Sequence, residues 1–158
     1  MSELVPDAKV EGIRALGAEV RIIGRSQDEA AEESRRLVAE DGLAEIPPFD
    51  EPLVIAGQGT IGLELLDSRP DLETLLVPLS GGGLAAGIAL AAKARKPGIR
   101  VIGISMDRGA AMVESLQAGR NVAVDEVPSL ADSLGGGLGI DIAALPGADR
   151  RHCAGQRS

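Results

Sequence analysis

Apolar positions change their spacing along this chain, and each change marks an expected element. Val10, Ile13 and Leu16 recur at i, i+3 and i+6 behind Pro6, which predicts an opening helix closed by Gly17. EVRII (19–23) is a short β-rich run. Ser26 and Glu29 make an S-x-x-E capping box, so a polar helix is expected over about 27–40, ending near Gly42. LAEI is read as a further short strand. In the second half, LETLLVPL (72–79) is a continuous apolar run bounded by turn residues, the pattern of a buried strand. SGGG (80–83) is a loop, LAAGIALAAKARK (84–96) an Ala-rich helix stopped by Pro97-Gly98, and IRVIGIS (99–105) a second strand. Strand, loop, helix and strand together predict a right-handed crossover with parallel strands. A helix over about 109–118 stops at Gly119; NVAVDEV is read as a strand and PSLADSL as a short helical turn.

PPFDEP (47–52) interrupts this pattern, because its prolines neither donate to a ladder nor sit inside a helix. A boundary is placed there, giving segments 1–46 and 47–140. From 141 to 158 no periodicity remains, and the segment is expected to be a disordered tail. The fold class expected is α/β, a parallel sheet flanked by helices.

Two glycine clusters compete for a phosphate. Gly57-Gln58-Gly59-Thr60-Ile61-Gly62 fits G-x-G-x-x-G, but a dinucleotide loop needs a strand before it. Only LVIA separates Pro52 from Gly57. A helix starting near Asp50, with Pro52 in its first turn and its glycines allowing close packing, suits the stretch better. The loop at Ser80, Gly81, Gly82 and Gly83 follows a strand and opens a helix, where N–H groups are unpaired and the helix dipole is positive. Side-chain-free residues there let the backbone approach an anion. A plain tight turn is the alternative. Gly81-x-Gly83-x-x-Ala86 also matches the looser dinucleotide pattern, with Asp107 24 residues beyond Gly83, so a nucleotide-binding module stays open at this point.

Composition narrows the function. The chain has 158 residues, a formal net charge of -8 and a single aromatic residue, Phe49, so its core must be aliphatic and a nucleic-acid partner is not expected. One cysteine, Cys153, excludes an internal disulfide framework and a Cys-based zinc site. No apolar run reaches the roughly 18 residues of a membrane helix, and MSELVPDAKVEG has no leader character. A cytoplasmic protein with no membrane partner is expected. The adjacent His152 and Cys153 lie in a basic tail and give no nucleophile pair.

PFDEPLVIAGQGTIGLELL followed by LLVPLSGGGLAAGIALAAKARKPGIRVIGIS resembles the serine/threonine dehydratase family, pyridoxal-phosphate enzymes of fold type II. AKVEGIRALGAEV is similar to part of that family's small domain, and 47–140 to part of its large one. SMDRGAAM and PSLADSLGGGLG are most similar to the hydroxyectoine-utilisation dehydratases. The resemblance covers about residues 2 to 140. It implies an ammonia-lyase that deaminates a hydroxy-amino acid by β-elimination, with pyridoxal 5'-phosphate as cofactor, an amino-acid substrate and a homo-oligomeric assembly. It assigns Ser80, Gly81, Gly82, Gly83 and Leu84 to the phosphate-gripping loop, with Ser80 where the family has a first glycine.

Three departures follow from the same resemblance. The family's cofactor-linking lysine belongs to an S-x-K-x-R-G-like motif that this chain lacks. Lys9, Lys93 and Lys96 are the only lysines, none in the desolvated setting that a cofactor-linking lysine needs. Ser105 and Ala111 stand where many relatives hold a divalent cation with carboxylates, so no metal is expected, and Asp107 is read as a helix-start residue. The match fades near Asp141, as in a truncated or frame-shifted product. The chain alone is therefore expected to have no catalytic residue and no turnover, and a non-catalytic fragment remains the other alternative.

Overall fold

A computed structural model describes residues 1–125, 129–135 and 138. These divide into two units, one built on residues 1–45 with Ser129 to Asp132, the other on 46–125 with the remaining described positions.

The first unit holds α1 (Asp7–Ala15) and α2 (Gln27–Asp41). Pro6 precedes α1 at its N-cap, and Val10 is its buried residue. Leu16 falls at the C-cap and is 88% exposed, so the expected apolar stripe contributes one core side chain rather than three. Half of the capping box forms in α2, and the Glu29 carboxylate reaches back one residue further than the box requires. The Ser26 hydroxyl accepts the Glu29 N–H at 3.1 Å, while the Glu29 carboxylate accepts the Arg25 N–H at 2.7 Å. Gly42 ends α2 in the left-handed conformation at φ 67°.

Both expected strands of this unit are corrected. Residues 19–23 form no strand; single bonds tie that stretch to the chain start, Met1 N to Arg21 O at 2.7 Å and Ile23 N to Met1 O at 2.8 Å. LAEI has no partner ladder among the described residues, and Leu43 and Ile46 are 54% and 78% exposed. β propensity without a long pairing partner does not make a strand.

The second unit carries α3 (Pro52–Ser68), β1 (Thr74–Pro78), α4 (Gly83–Arg95), β2 (Arg100–Ile104) and α5 (Ala111–Ala118); a 3-10 turn at Asp132–Leu134 begins on the last residue of the first unit. β1 and β2 pair in parallel, with Leu75 opposite Val101 and Pro78 opposite Ile104, and α4 is the crossover between them. Leu66, Leu75, Val77, Ile88, Ala92 and Ile99 form the core. Full burial of aliphatic side chains such as Ile99, 1% exposed, favours the folded state by roughly 1.5–3 kcal/mol each. Leu76 points to the other face of the sheet and is 66% exposed. The expected strand in NVAVDEV does not form over 121–125; its last residues and the tail lie outside the described residues. No helix of the described residues is long and apolar enough to cross a membrane.

α3 and α4 run parallel, backbone against backbone. A β-carbon on Gly59 would meet the Gly87 carbonyl at 3.1 Å, and one on Gly62 the Ile88 carbonyl at 2.9 Å. One on Gly87 would fall on the Ile55 carbonyl. Further along the pair, the Arg95 guanidinium bridges to Asp67 at 2.5 Å. Gly59 and Gly62 of GQGTIG therefore serve helix packing, and no strand precedes the motif, so it forms no dinucleotide loop.

Candidate functional site

β1 delivers the chain to the glycine loop. After Pro78 the ladder gains one more bond, Leu79 N to Ile104 O at 2.7 Å, and the chain then turns into α4. Gly82 is the N-cap of α4 at φ 94°, a left-handed conformation that only glycine adopts without strain. Gly81, Gly82 and Gly83 are buried; Ser80 and Leu84 are half-buried. The Leu84 side chain packs on the core, which anchors the first turn of α4. The Ser80 hydroxyl donates to the Gly135 carbonyl at 3.2 Å, so the Cβ that departs from glycine at this position is directed to a neighbouring loop.

The first closing bond of the helix runs from Ala86 N to Gly82 O at 2.8 Å. Among the described residues, the N–H groups of Gly81, Gly82, Gly83 and Leu84 have no acceptor. Buried main-chain donors are almost always satisfied by protein or solvent. Several such donors at the start of a 13-residue helix, at the carboxyl end of a parallel strand, are an arrangement that could hold an anion such as a phosphate. The structure thus brings the five expected loop residues together at one helix start.

Two neighbours of the loop went unrecognised in the sequence. Phe49 lies against it: a β-carbon on Gly81 would fall within the Phe49 ring, and one on Gly83 would come 2.5 Å from the Phe49 carbonyl oxygen. The signal available was the chain's lone aromatic side chain, placed just before the helix that packs on α4. Ser105 follows β2 at the same end of the sheet as the loop. Its Oγ is buried and has no hydrogen-bond partner among the described residues. Sequence reasoning weighed Ser105 only as a lost metal ligand.

Lys9 lies on α1 in the first unit, and the two lysines of the second unit are engaged away from the loop. The Lys93 ammonium donates to the Ile99 carbonyl at 3.0 Å, and the Lys96 ammonium to the carbonyls of Pro70 and Leu72 at 3.0 and 2.7 Å. Lys93 lies ten residues beyond Gly83 on α4, a rise of about 15 Å at 1.5 Å per residue, so it sits at the far end of the helix from the loop. Asp107 does not start a helix: α5 begins at Ala111 with Ala110 as its N-cap, and no side chain caps it. His152 and Cys153 lie outside the described residues.

A phosphate-bearing cofactor fits these residues. The amides of Gly81 to Leu84, without an acceptor among the described residues, match phosphate oxygens, and the absence of β-carbons at Gly81, Gly82 and Gly83 leaves the main chain open to close approach.

Comparison with known proteins agrees with that chemistry. The model of the family described as "Pyridoxal-phosphate dependent enzyme" matches residues 1–154. A putative threonine dehydratase from Sinorhizobium fredii is 61% identical over 140 residues, which cover 89% of this chain and 42% of that protein. The processed form of threonine deaminase isoform 2 from Solanum lycopersicum superposes with a TM-score of 0.76 at 39% identity, over 87% of this chain and 38% of that one. Maize serine racemase does so with a TM-score of 0.79 at 35% identity, over 87% and 42%. The chain thus spans less than half the length of these relatives.

Proposed function

The chain belongs to the pyridoxal-phosphate dependent enzyme family, and on that premise we propose that it is the phosphate-seating portion of a threonine dehydratase-like ammonia-lyase. The observation that carries the reading is the set of N–H groups from Gly81 to Leu84 that have no acceptor among the described residues, bared by three buried glycines at the start of α4. When bound, pyridoxal phosphate supplies an electron sink for charge developing at the substrate's α-carbon. This chain's residues hold its phosphate. The amides of Gly81, Gly82, Gly83 and Leu84 bind the dianion, the α4 dipole favours its charge, and Ser80 ties the loop to Gly135. Ser105 Oγ, at the same end of the sheet, is a further hydroxyl available to a ligand.

The substrate class we assign is a 3-hydroxy amino acid, threonine or serine. Supporting this are the names of the relatives, which include a threonine dehydratase, a threonine deaminase and a serine racemase. A hydroxyectoine-derived substrate rests on SMDRGAAM and PSLADSLGGGLG alone. Lys93 and Lys96 are held by carbonyls, so neither is offered as the cofactor-linking group and turnover by this chain alone is not expected.

Titration of the purified chain with pyridoxal phosphate, pyridoxal and NAD, followed by thermal unfolding, tests the reading. Pyridoxal phosphate should raise the midpoint, pyridoxal should not, and NAD should not. Stabilisation by NAD alone favours a nucleotide-binding module, and no response to any of the three a fragment without a ligand; either result overturns the proposal.

A further inference from the structure

Phe49 is the chain's only aromatic side chain and lies half-buried at the entry to α3. Its surroundings fix where it goes. Pro47 and Pro48 restrict the backbone just before it. Two residues after it, Glu51 caps α3, its carboxylate accepting the Val54 N–H at 2.8 Å. α3 is in turn clamped along α4 through Gly59, Gly62 and Gly87, with no room for a β-carbon on Gly62 or Gly87. Because the two helices run parallel, the start of α3 lies beside the start of α4. That places the Phe49 ring over Gly81 and its main chain over Gly83.

We infer that Phe49 is a positioning residue for the phosphate seat, holding the Gly81–Gly83 turn in the one conformation that presents its amides together. Three successive residues without side chains have the widest backbone freedom of any tripeptide, and such freedom opposes the ordering a bound anion demands. The ring removes that freedom by filling the space where Gly81 has no side chain. A leucine at 49 would retain atoms equivalent to the ring Cγ, Cδ1 and Cδ2, the three that lie against Gly81. An alanine would retain none. The inference rests on the phosphate-seating function proposed above.

The test is the affinity of the full 158-residue chain for pyridoxal phosphate relative to pyridoxal, read by cofactor absorbance in wild type, Phe49→Ala and Phe49→Leu. Phe49→Ala should lower affinity for pyridoxal phosphate by about tenfold, the scale of one additional flexible backbone position to be ordered, and leave pyridoxal unchanged. Phe49→Leu should restore most of the loss, which a general loss of stability would not reproduce. Wild-type affinity in Phe49→Ala overturns this inference and leaves the proposed function standing. A wild-type chain that binds no pyridoxal phosphate overturns both. Should Phe49→Ala not fold, Gly81→Ala takes its place: its β-carbon displaces the ring from the other side, so a fall of the same order is expected and unaltered affinity overturns the inference.

Discussion

Gly62 faces the main chain of Ile88 across the α3–α4 contact, so closely that a β-carbon at 62 would lie 2.9 Å from the Ile88 carbonyl oxygen and 3.4 Å from its α-carbon. Five residues earlier, Gly57 has nothing within 4 Å of the same point. Two glycines of one motif thus do opposite things to stability.

Gly62→Ala should destabilise the second unit by about 1–3 kcal/mol, because the neighbour is a helix backbone that cannot yield cheaply. Gly57→Ala should stabilise it by about 0.5–1 kcal/mol, since glycine in a helix interior is the poorer residue and no contact opposes the change. Urea denaturation of the two variants checks both signs; a dinucleotide-binding role for the motif would instead make both changes costly to a bound nucleotide.

Gly82→Ala forces a β-carbon onto a residue at φ 94°. The strain is expected to cost roughly 1–2 kcal/mol. Relief of that strain would move the amide fan, so affinity for pyridoxal phosphate should fall as well. Calorimetric unfolding with and without the cofactor separates the two effects.

Gly81→Ala and Gly83→Ala should differ in whether Phe49→Ala repairs them. The obstacle at Gly81 is the Phe49 ring, which the second substitution removes. At Gly83 it is the Phe49 main chain, 2.5 Å from oxygen and 2.7 Å from the α-carbon, which no substitution at 49 removes. Thermal stability of the two double variants should rise above its single parent only for the Gly81 pair.

Borohydride reduction of the chain mixed with pyridoxal phosphate should give no adduct concentrated on Lys93 or Lys96. Their ammonium groups donate to the carbonyls of Ile99, Pro70 and Leu72, and at least Lys93 lies at the far end of α4 from the loop. Peptide mapping by mass spectrometry checks this, and stoichiometric labelling of either lysine would contradict the placement of the site.

Acid stability has a predictable contribution from α2. A hydrogen bond from Arg36, aided by its charge, holds the Glu33 carboxyl below its ordinary value of 4.5. A carboxylate depressed in the folded state adds stability that is complete above that value and is lost as pH falls through the lower folded one. Glu33→Gln should therefore flatten the decline of stability below pH 4.5, measured by denaturation at a series of pH values.

The sequence alone determined the features whose causes are local. Ser26 with Glu29, Pro52 with Glu51, and Gly42 and Gly119 at their helix ends set the boundaries of α2, α3 and α5 through capping and backbone freedom, which need no distant partner. The β1–loop–α4–β2 unit was legible for the same reason, and its glycine loop could be picked out as the candidate seat because a strand precedes it and a helix follows. Tertiary structure decided what depends on a partner. EVRII has the composition of a strand, but among the described residues its main chain makes only single bonds to Met1, so no ladder forms. Asp107 looked like a helix start, yet α5 begins four residues later without a side-chain cap. Above all, no spacing in the sequence shows that Phe49 lies on Gly81, thirty-two positions away. That contact exists because two glycine-faced helices pack in parallel and bring their starts together, and packing of that kind is a property of the folded surface rather than of either segment.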